Sequence, residues 1–216
     1  MASKSSSSAK KPGAPARRSR VQTHEIRIIG GQWKRIRLKV ADRPGLRPTP
    51  DRVRETLFNW LGQDLSGLRC VDSFAGTGAL GFEAASRGAR EVLLVEQDSA
   101  LVAQLQQVHA QLLALELPEP VAQSVLIQRG DGVSALRQLA AQSQDVIFLD
   151  PPFDGGNYEA ALGAAAHALA PQGNIYLEAP KAWTDASLEP WGLHVYRHLK
   201  AGAVHAHVLR RAHAVA

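Results

Sequence analysis

The sequence predicts an α/β fold with a mostly parallel sheet that ends in an antiparallel hairpin. From residue 68 to residue 179, segments with the pattern of strands alternate with helical segments, which is typical of a parallel sheet covered by helices. The segments VLLV at 92–95 and VIFL at 146–149 are apolar throughout, as strands buried on both faces are. The chain of 216 residues is long enough for one main core.

The N-terminal region predicts a tail, a hairpin and a helix. Residues 1–24 are rich in Ser, Ala, Lys, Pro and Arg, so we expect a disordered basic tail. Apolar and polar residues then alternate on both sides of Gly30 and Gly31, which predicts a β-hairpin. Apolar residues at helical spacing predict a helix from about 51 to 61, ended by Gly62. We expect residues 25–62 to form one element beside a main domain at 63–216.

The main domain repeats a strand, a turn and a helix. The predicted strands are LRCVDSF, EVLLVE, SVLIQRG, DVIFLD and NIYLEA, and the helices between them begin in ALGFEAASRG, SALVAQLQQVHAQLLAL, VSALRQLAAQ and YEAALGAAAHALA. Two further strand-like runs, GLHVYRHLKA and AVHAHVLRR, are separated by Gly202. They predict an antiparallel hairpin at the edge of the sheet.

Charge is segregated along the chain. Residues 1–54 carry 15 Lys or Arg against 3 Asp or Glu, whereas residues 55–216 carry 10 against 17. A basic N-terminal segment attached to an acidic domain indicates a polyanionic partner, and nucleic acid is the first candidate. For residues 1–24 alone, a tail that only increases solubility is the alternative. Basic and aromatic side chains suited to phosphates and to stacking on a base are predicted on the outward face of the hairpin. They are Arg27, Trp33, Lys34, Arg35, Arg37 and Lys39.

Several classes of protein are not expected. No stretch approaches the roughly 18 apolar residues of a membrane helix and no secretory signal is evident, so we expect a cytoplasmic protein. A single cysteine, Cys70, leaves no partner for an internal disulfide. His205 and His207 share a face of a predicted strand, but no carboxylate or cysteine stands at ligand spacing, so we expect surface histidines and no metal. We expect a monomer.

The glycine-rich turn after the first strand of the main domain has two interpretations. Residues 76–81 form G-x-G-x-x-G, and Glu96 follows Gly76 by 20 residues, which fits the dinucleotide pattern of an NAD-dependent dehydrogenase. Asp72 precedes the first glycine by four residues, where a carboxylate repels a pyrophosphate and favours a cation. S-adenosylmethionine carries an ammonium and a sulfonium, and Glu96 can accept hydrogen bonds from its ribose hydroxyls. The ends of the strands are where such sheets bind ligands.

The fourth strand of the main domain ends in Asp150, Pro151, Pro152 and Phe153. Two prolines fix φ and remove donors, so the turn is rigid and its carbonyls are free to accept hydrogen bonds. The Asp150 carboxylate and the Pro151 carbonyl can accept the hydrogens of an exocyclic amine, which favours a more nucleophilic nitrogen, and Phe153 can stack on the base. An ordinary turn is the alternative for this tetrapeptide alone.

Three motifs in order carry a resemblance: GLRPTPDRVRETLFNWL, FAGTGALGFEAASRG with LVEQD, and FLDPPF. They resemble class I S-adenosylmethionine-dependent methyltransferases, and specifically the RsmD-type 16S ribosomal RNA guanine-N2 methyltransferases, over about residues 28–210. The resemblance implies the Rossmann-like class I methyltransferase fold. It also implies methyl transfer to N2 of guanine 966 in 16S rRNA, within the small subunit or an assembly intermediate.

The resemblance further implies roles for individual residues. The cofactor set comprises Asp72, Phe74, Ala75, Gly76, Gly78, Glu96, Gln97, Asp131, Thr49 and Arg52. Asp150 to Phe153 form the catalytic turn, and Arg47 and Arg54 are expected to face the RNA. Other interpretations stay open: an adenine-N6 or other nucleic-acid amino-methyltransferase, an NAD-dependent dehydrogenase and a noncatalytic RNA-binding protein.

Overall fold

The structure is a computed structural model that describes residues 23–41, 49–115, 124–152 and 157–212. An antiparallel hairpin and helix α1 come first, and a seven-stranded sheet with five more helices follows. The strands are β1 (Thr23–Arg27), β2 (Arg37–Ala41), β3 (Arg69–Asp72), β4 (Glu91–Glu96), β5 (Ser124–Arg129), β6 (Gln144–Leu149), β7 (Leu169–Ala179), β8 (Leu193–Ala201) and β9 (Val204–Arg211). The helices are α1 (Asp51–Leu61), α2 (Ala79–Ser86), α3 (Ser99–Leu113), α4 (Gly132–Gln138), α5 (Tyr158–Ala168) and α6 (Asp185–Leu188).

The order of the strands in the main sheet is β5-β4-β3-β6-β7-β9-β8. The five strands from β5 to β7 are parallel, and β9 and β8 extend the sheet as an antiparallel pair. The predicted fold is therefore confirmed, with its C-terminal hairpin at the edge. Because the chain proceeds outward in both directions from the centre, β3 and β6 lie side by side with connections that diverge, which opens a crevice at their carboxyl ends.

Two apolar layers cover the sheet. One contains Leu57 of α1, Phe82 of α2 and Phe148 of β6, and the other contains Leu162 of α5 and Ile147 of β6. Consecutive residues of a strand therefore point to opposite layers, as a pleated strand requires. The alternation decides which strand-end side chains share a face of the crevice.

A buried carboxylate attaches the N-terminal hairpin to α2. Glu83 is 0% exposed, and its two oxygens accept hydrogen bonds from the backbone N–H groups of Ile29 at 2.8 Å and Gly30 at 2.7 Å. The same carboxylate contacts the guanidinium of Arg54 at 3.4 Å and that of Arg87 at 2.8 Å. The hairpin, α1 and α2 therefore meet at one acidic side chain.

The backbone of the hairpin loop also lies directly on α2. Gly31 has a φ of 70°, and a Cβ atom there would stand 1.7 Å from the carbonyl oxygen of Ser86. The Ser86 hydroxyl donates to the carbonyl of Gly30 at 2.6 Å and accepts from the N–H of Trp33 at 2.9 Å. Glycine is needed at 31 because of this close approach.

Two side chains expected to face RNA are buried instead. Trp33 was predicted on the outward face of the hairpin, which is wrong because residues 32–35 form a turn that breaks the alternation and leaves the indole 1% exposed. Arg54 is also 1% exposed, and its guanidinium donates to Asp51, to Glu83 and to the carbonyls of Arg27 and Thr49. Its expected contact with RNA is wrong because the packing of α1 on α2 encloses it.

The histidines of the C-terminal hairpin also differ from the expectation. His207 is not a surface residue: it is 0% exposed, and its Nε2 accepts a hydrogen bond from the N–H of Trp183 at 3.1 Å. The rings of His198 and His207 stack with centroids 4.6 Å apart. In the part of the chain that the structure describes, no group of three His, Cys, Asp or Glu residues has the arrangement of a metal site, and no helix is long and apolar enough to cross a membrane.

We expect Glu83→Gln to lower the free energy of unfolding by on the order of 3 kcal/mol, because Arg54 and Arg87 keep buried charges without their shared partner. Urea unfolding at neutral pH measures the loss. The matched control is Glu91→Gln, since the Glu91 ion pair with Arg90 is exposed and should change stability by about 0.5 kcal/mol or less. Equal losses in the two variants would contradict a special role for the buried network.

Candidate active site

Acidic side chains gather at the carboxyl ends of the central strands. Asp72 ends β3 and Asp150 follows β6, while Glu178 stands near the end of β7. Asp72 pairs in register with Phe148, which in turn pairs with Tyr176. By the alternation of the strands, all three acidic residues lie on the face that carries α1 and α2. Glu96 at the end of β4 adds a fourth carboxylate to the same edge.

Asp72 is the most enclosed acid that was predicted from the sequence. Its side chain is 2% exposed and its Oδ2 accepts a hydrogen bond from the N–H of Gly81 at 2.9 Å. Burial raises the pKa of Asp72 to about 7, and the negative charges of Glu96 and Glu178 add to the effect. No salt bridge to Asp72 is formed within the described ranges, so its charge favours a cationic ligand.

The glycine turn holds Glu96 at the mouth of the crevice. Gly76 and Gly78 have φ values of 51° and 78°, and a Cβ atom on Gly78 would stand 2.5 Å from the ring of Phe82. The Glu96 carboxylate accepts hydrogen bonds from the N–H of Gly76 at 2.9 Å and from the N–H of Asp98 at 2.8 Å. The acid is therefore fixed across the turn while its side chain stays partly exposed.

The other predicted cofactor residues surround this turn. Ala75 donates to the carbonyl of Val95 at 2.9 Å, which ties the turn to β4, while Phe74 is half-buried and Gln97 is exposed. Asp131 caps the N-terminus of α4 and accepts a hydrogen bond from the N–H of Ser134 at 2.8 Å, and hydrogen bonds from Ser134 lower its pKa. The start of α4 is adjacent to the turn, since a Cβ atom on Gly132 would stand 2.0 Å from the carbonyl oxygen of Ser73.

The acceptor turn follows β6 directly. Asp150 is half-buried at the end of that strand, Pro151 is buried and Pro152 is exposed, whereas Phe153 lies outside the described residues. Burial raises the pKa of Asp150 well above its ordinary value, and the charges of Glu178 and Asp72 raise it further. The carboxyl group is therefore poised to hold a proton.

Glu178 is the functional candidate that the sequence analysis missed. It is 5% exposed, and its Oε1 accepts hydrogen bonds from the hydroxyl of Thr49 at 2.8 Å and the hydroxyl of Tyr176 at 2.7 Å. Thr49 is thereby buried beside the crevice, and the start of α1 is attached to β7. The rule that selects strand ends would have found Glu178, because it belongs to the strand NIYLEA, but no motif drew attention to it.

The basic side chains belong to other elements, the N-terminal hairpin and α1. Arg52 is exposed on α1, and the exposed residues of the N-terminal hairpin include Lys34 and Arg35. Arg27 contacts Asp51 at 3.2 Å, and Arg37 contacts Glu25 at 2.8 Å, both in exposed ion pairs. The side chain of Lys39 and all of Arg47 lie outside the described part of the chain. An acidic crevice and a basic surface therefore coexist in one molecule.

Comparisons with known proteins agree with this architecture. The family model described as "Conserved hypothetical protein 95" matches residues 26–210. "Ribosomal RNA small subunit methyltransferase D" of Escherichia coli K12 is 43% identical over 156 residues, which is 71% of this chain and 74% of the relative. The protein of that name from Haemophilus influenzae is 41% identical over 174 residues, 78% of this chain and 86% of the relative.

A solved structure is similar over most of the chain. It is titled "Putative methyltransferase yhhF from Escherichia coli" and is 37% identical, with a TM-score of 0.72. The match covers 88% of this chain and 99% of that one. The likeness therefore extends over most of both chains rather than an isolated motif.

We expect the stability of Asp72→Asn relative to the parent to increase as the pH rises from about 4 to about 7. The pKa of Asp72 in the folded chain, about 7, exceeds its ordinary value of 3.8. Protonation therefore stabilises the folded state, and this contribution is lost as the pH rises through that window, by about 1.4 kcal/mol per pH unit. Urea unfolding at pH 5 and pH 7 measures the difference between the two proteins.

The matched control for this measurement is Asp64→Asn. Hydrogen bonds from Ser66 lower the pKa of this exposed carboxyl, so its replacement should give no gain as the pH rises. If the difference in stability between Asp72→Asn and the parent is the same at both pH values, Asp72 titrates as an ordinary carboxyl. The assignment of Asp72 as a destabilised acid that is suited to bind a cation would then be wrong.

Proposed function

Because the chain belongs to the Conserved hypothetical protein 95 family, the RsmD-type methyltransferases, we propose that it methylates the N2 amine of guanine 966 in 16S rRNA. S-adenosylmethionine is the proposed methyl donor. The observation that carries the proposal is the pair of strand-end acids, Asp72 and Asp150, on neighbouring strands at the centre of the sheet. Asp72 is suited to bind a cation, and Asp150, which two prolines follow, is suited to accept hydrogen bonds from an amine.

The donor set at the glycine turn fits S-adenosylmethionine. Asp72 would face the cationic methionine end, and Glu96, held by the N–H groups of Gly76 and Asp98, would accept hydrogen bonds from the ribose hydroxyls. When bound, S-adenosylmethionine supplies a methyl group already activated by its sulfonium. The pyrophosphate of NAD would instead meet several carboxylates without a described counter-ion, which argues against a dehydrogenase.

The acceptor turn supports the chemistry of an exocyclic amine. The Asp150 carboxylate and the Pro151 carbonyl can accept the two hydrogens of N2 and so orient its lone pair toward the methyl group. Transfer would form a carbon–nitrogen bond on N2 and break the methyl–sulfur bond of the donor, which would leave as the neutral thioether. One N2 proton would also have to leave, and Asp150 is the group that would accept it. The target base has to be unpaired or extruded, because a stacked guanine cannot present this amine.

The basic surface supports binding of the rRNA. Lys34, Arg35 and Arg37 are exposed on the N-terminal hairpin, and each phosphate that they neutralise adds affinity regardless of base sequence. The hairpin lies on α2, the helix that begins at the end of the glycine turn. RNA held on this surface would therefore lie beside the proposed catalytic crevice, in a small subunit or an assembly intermediate in the cytoplasm.

Transfer of a labelled methyl group to small ribosomal subunits that lack modifications tests the proposal. Nucleoside analysis should return labelled N2-methylguanosine at position 966. Labelled N6-methyladenosine would support the adenine methyltransferase instead, and binding of RNA without transfer would support a noncatalytic protein. A calorimetric titration with S-adenosylmethionine and with NAD separates the two cofactors in the same preparation.

We expect Asp150→Ala to bind S-adenosylmethionine as the parent does but to lose most methyl transfer, by about 100-fold or more. Asp150→Asn should retain slightly more activity, because an amide oxygen still accepts a hydrogen bond from N2 but cannot take its proton. Single-turnover rates at saturating cofactor measure the loss. Near-parental rates in both variants would mean that the turn after β6 has no catalytic role.

We expect the triple variant Lys34→Ala, Arg35→Ala and Arg37→Ala to bind the rRNA more weakly and with a shallower dependence on salt, while its affinity for S-adenosylmethionine is unchanged. Filter binding at several salt concentrations measures both quantities. A matched control is Arg137→Ala with Arg197→Ala, which removes exposed charge from other elements. A salt dependence equal to that of the parent would make the hairpin a structural element only.

A further inference from the structure

Asp150 has an acidic neighbour whose role the proposed mechanism does not use. β6 and β7 are parallel neighbours, with Phe148 opposite Tyr176 and Leu149 opposite Leu177. The next residue along each strand brings Asp150 and Glu178 side by side. Both side chains lie on the face of the sheet that carries α1, because the alternation of the strands is the same in β6 and β7.

The two acids have unequal surroundings. Glu178 accepts hydrogen bonds from two hydroxyls, at 2.8 Å from Thr49 and 2.7 Å from Tyr176, which favour its charged form. Asp150 has no hydrogen-bond donor among the side chains that the structure describes. Burial followed by the charge of Glu178 raises the pKa of Asp150 well above its ordinary value. Burial also raises the pKa of Glu178, but its two hydroxyl donors oppose that rise, and Asp150 has no such described donors. The negative charge therefore belongs on Glu178 and the proton on Asp150.

Within the described ranges, the other titratable groups near the pair add no positive charge. Asp72 faces it from β3 and Tyr158 from α5, and burial together with the charge of Asp150 raises the pKa of Tyr158 to about 12. Glu96 lies beyond Asp72 on β4. The guanidinium of Arg54, which donates to the carbonyl of Thr49, is already bound to Asp51 and Glu83. Two adjacent acids, one buried and one half-buried, without a described counter-ion cannot both be ionised at little cost.

We propose that Asp150 and Glu178 share one proton, and that Glu178 is a positioning residue that sets the pH at which Asp150 becomes a proton acceptor. In the protein without ligands, Glu178 is ionised and Asp150 is protonated. Asp150 must release this proton before it can take one from an amine. The fraction of molecules in which Asp150 is ionised therefore depends on the charge of Glu178. The consequence for catalysis rests on the proposed function, whereas the shared proton does not.

Carbon-13 NMR of protein labelled at the side-chain carboxyl groups tests the shared proton in the absence of cofactor. In the parent, the carboxyl signals of both Asp72 and Asp150 should titrate above the ordinary range of aspartate, and the one that is missing in Asp150→Asn is that of Asp150. In Glu178→Gln the same signal should move to lower pH by about one unit or more, because the like charge is gone. The matched control, Glu159→Gln, removes an exposed acid from the first turn of α5 and should leave the signal unmoved.

If Glu178→Gln fails to fold, two other variants test the shared proton. Thr49→Val and Tyr176→Phe each remove one hydroxyl donor from Glu178 and should raise the pH at which the Glu178 signal titrates. Ordinary titration of both acids in the parent, or an Asp150 signal that none of these variants moves, would overturn the shared proton.

The pH dependence of single-turnover methyl transfer tests the catalytic consequence. In Glu178→Gln, the rise of the rate with pH should shift downward by about one unit while the affinity for RNA is unchanged. A purely structural role for Glu178 would lower the rate at every pH without moving the profile. If the parent transfers no methyl group to RNA, the proposed function fails, and the NMR titration still decides whether the proton is shared.

Discussion

The carboxylate of Glu83 is the contact on which the N-terminal half of the molecule depends. It joins the backbone of the hairpin loop to the guanidinium groups of α1 and of the α2 terminus, at 0% exposure. A charge so enclosed is tolerated only when its hydrogen-bonding capacity is filled, and here two N–H groups and two arginines fill it. The network gives the hairpin one orientation on α2, which a purely apolar contact would specify less sharply.

The acids of the crevice have the opposite arrangement. Glu83 is neutralised by Arg54 and Arg87, whereas Asp72 is buried and Asp150 half-buried without a described basic partner, and the pKa values of both are raised as a result. Such acids destabilise the folded chain at neutral pH, and the apolar layers on both faces of the sheet must offset the cost. A carboxylate without a basic partner in the free protein is stabilised most when a cationic ligand binds beside it. The unfavourable electrostatics are therefore a feature of the binding site and not of the rest of the fold.

The sequence predicted what depends on local pattern and missed what depends on contacts between distant segments. Apolar runs and glycine turns identified the strands, and the strand-end rule then selected Asp72, Glu96 and Asp150, which the structure brings to one edge of the sheet. Trp33 was misassigned because a turn interrupts the alternation of the hairpin. The burial of Arg54 was not predictable from its own helix, since the residue that encloses it, Glu83, is 29 positions away in the chain.

Helix α2 contacts both the proposed cofactor site and the hairpin that carries the proposed RNA-binding residues. It begins at Ala79, directly after Gly78 of the turn beside Asp72, and all eight of its residues are buried. Its first turn packs on the cofactor side, and its later residues, Glu83 and Ser86, hold the hairpin that carries the basic side chains. A helix enclosed on every side cannot shift without disturbing both contacts. The spacing between the proposed RNA-binding surface and the crevice is therefore set by eight buried residues. No direct contact is needed between the groups that would bind RNA and those that would bind the methyl donor.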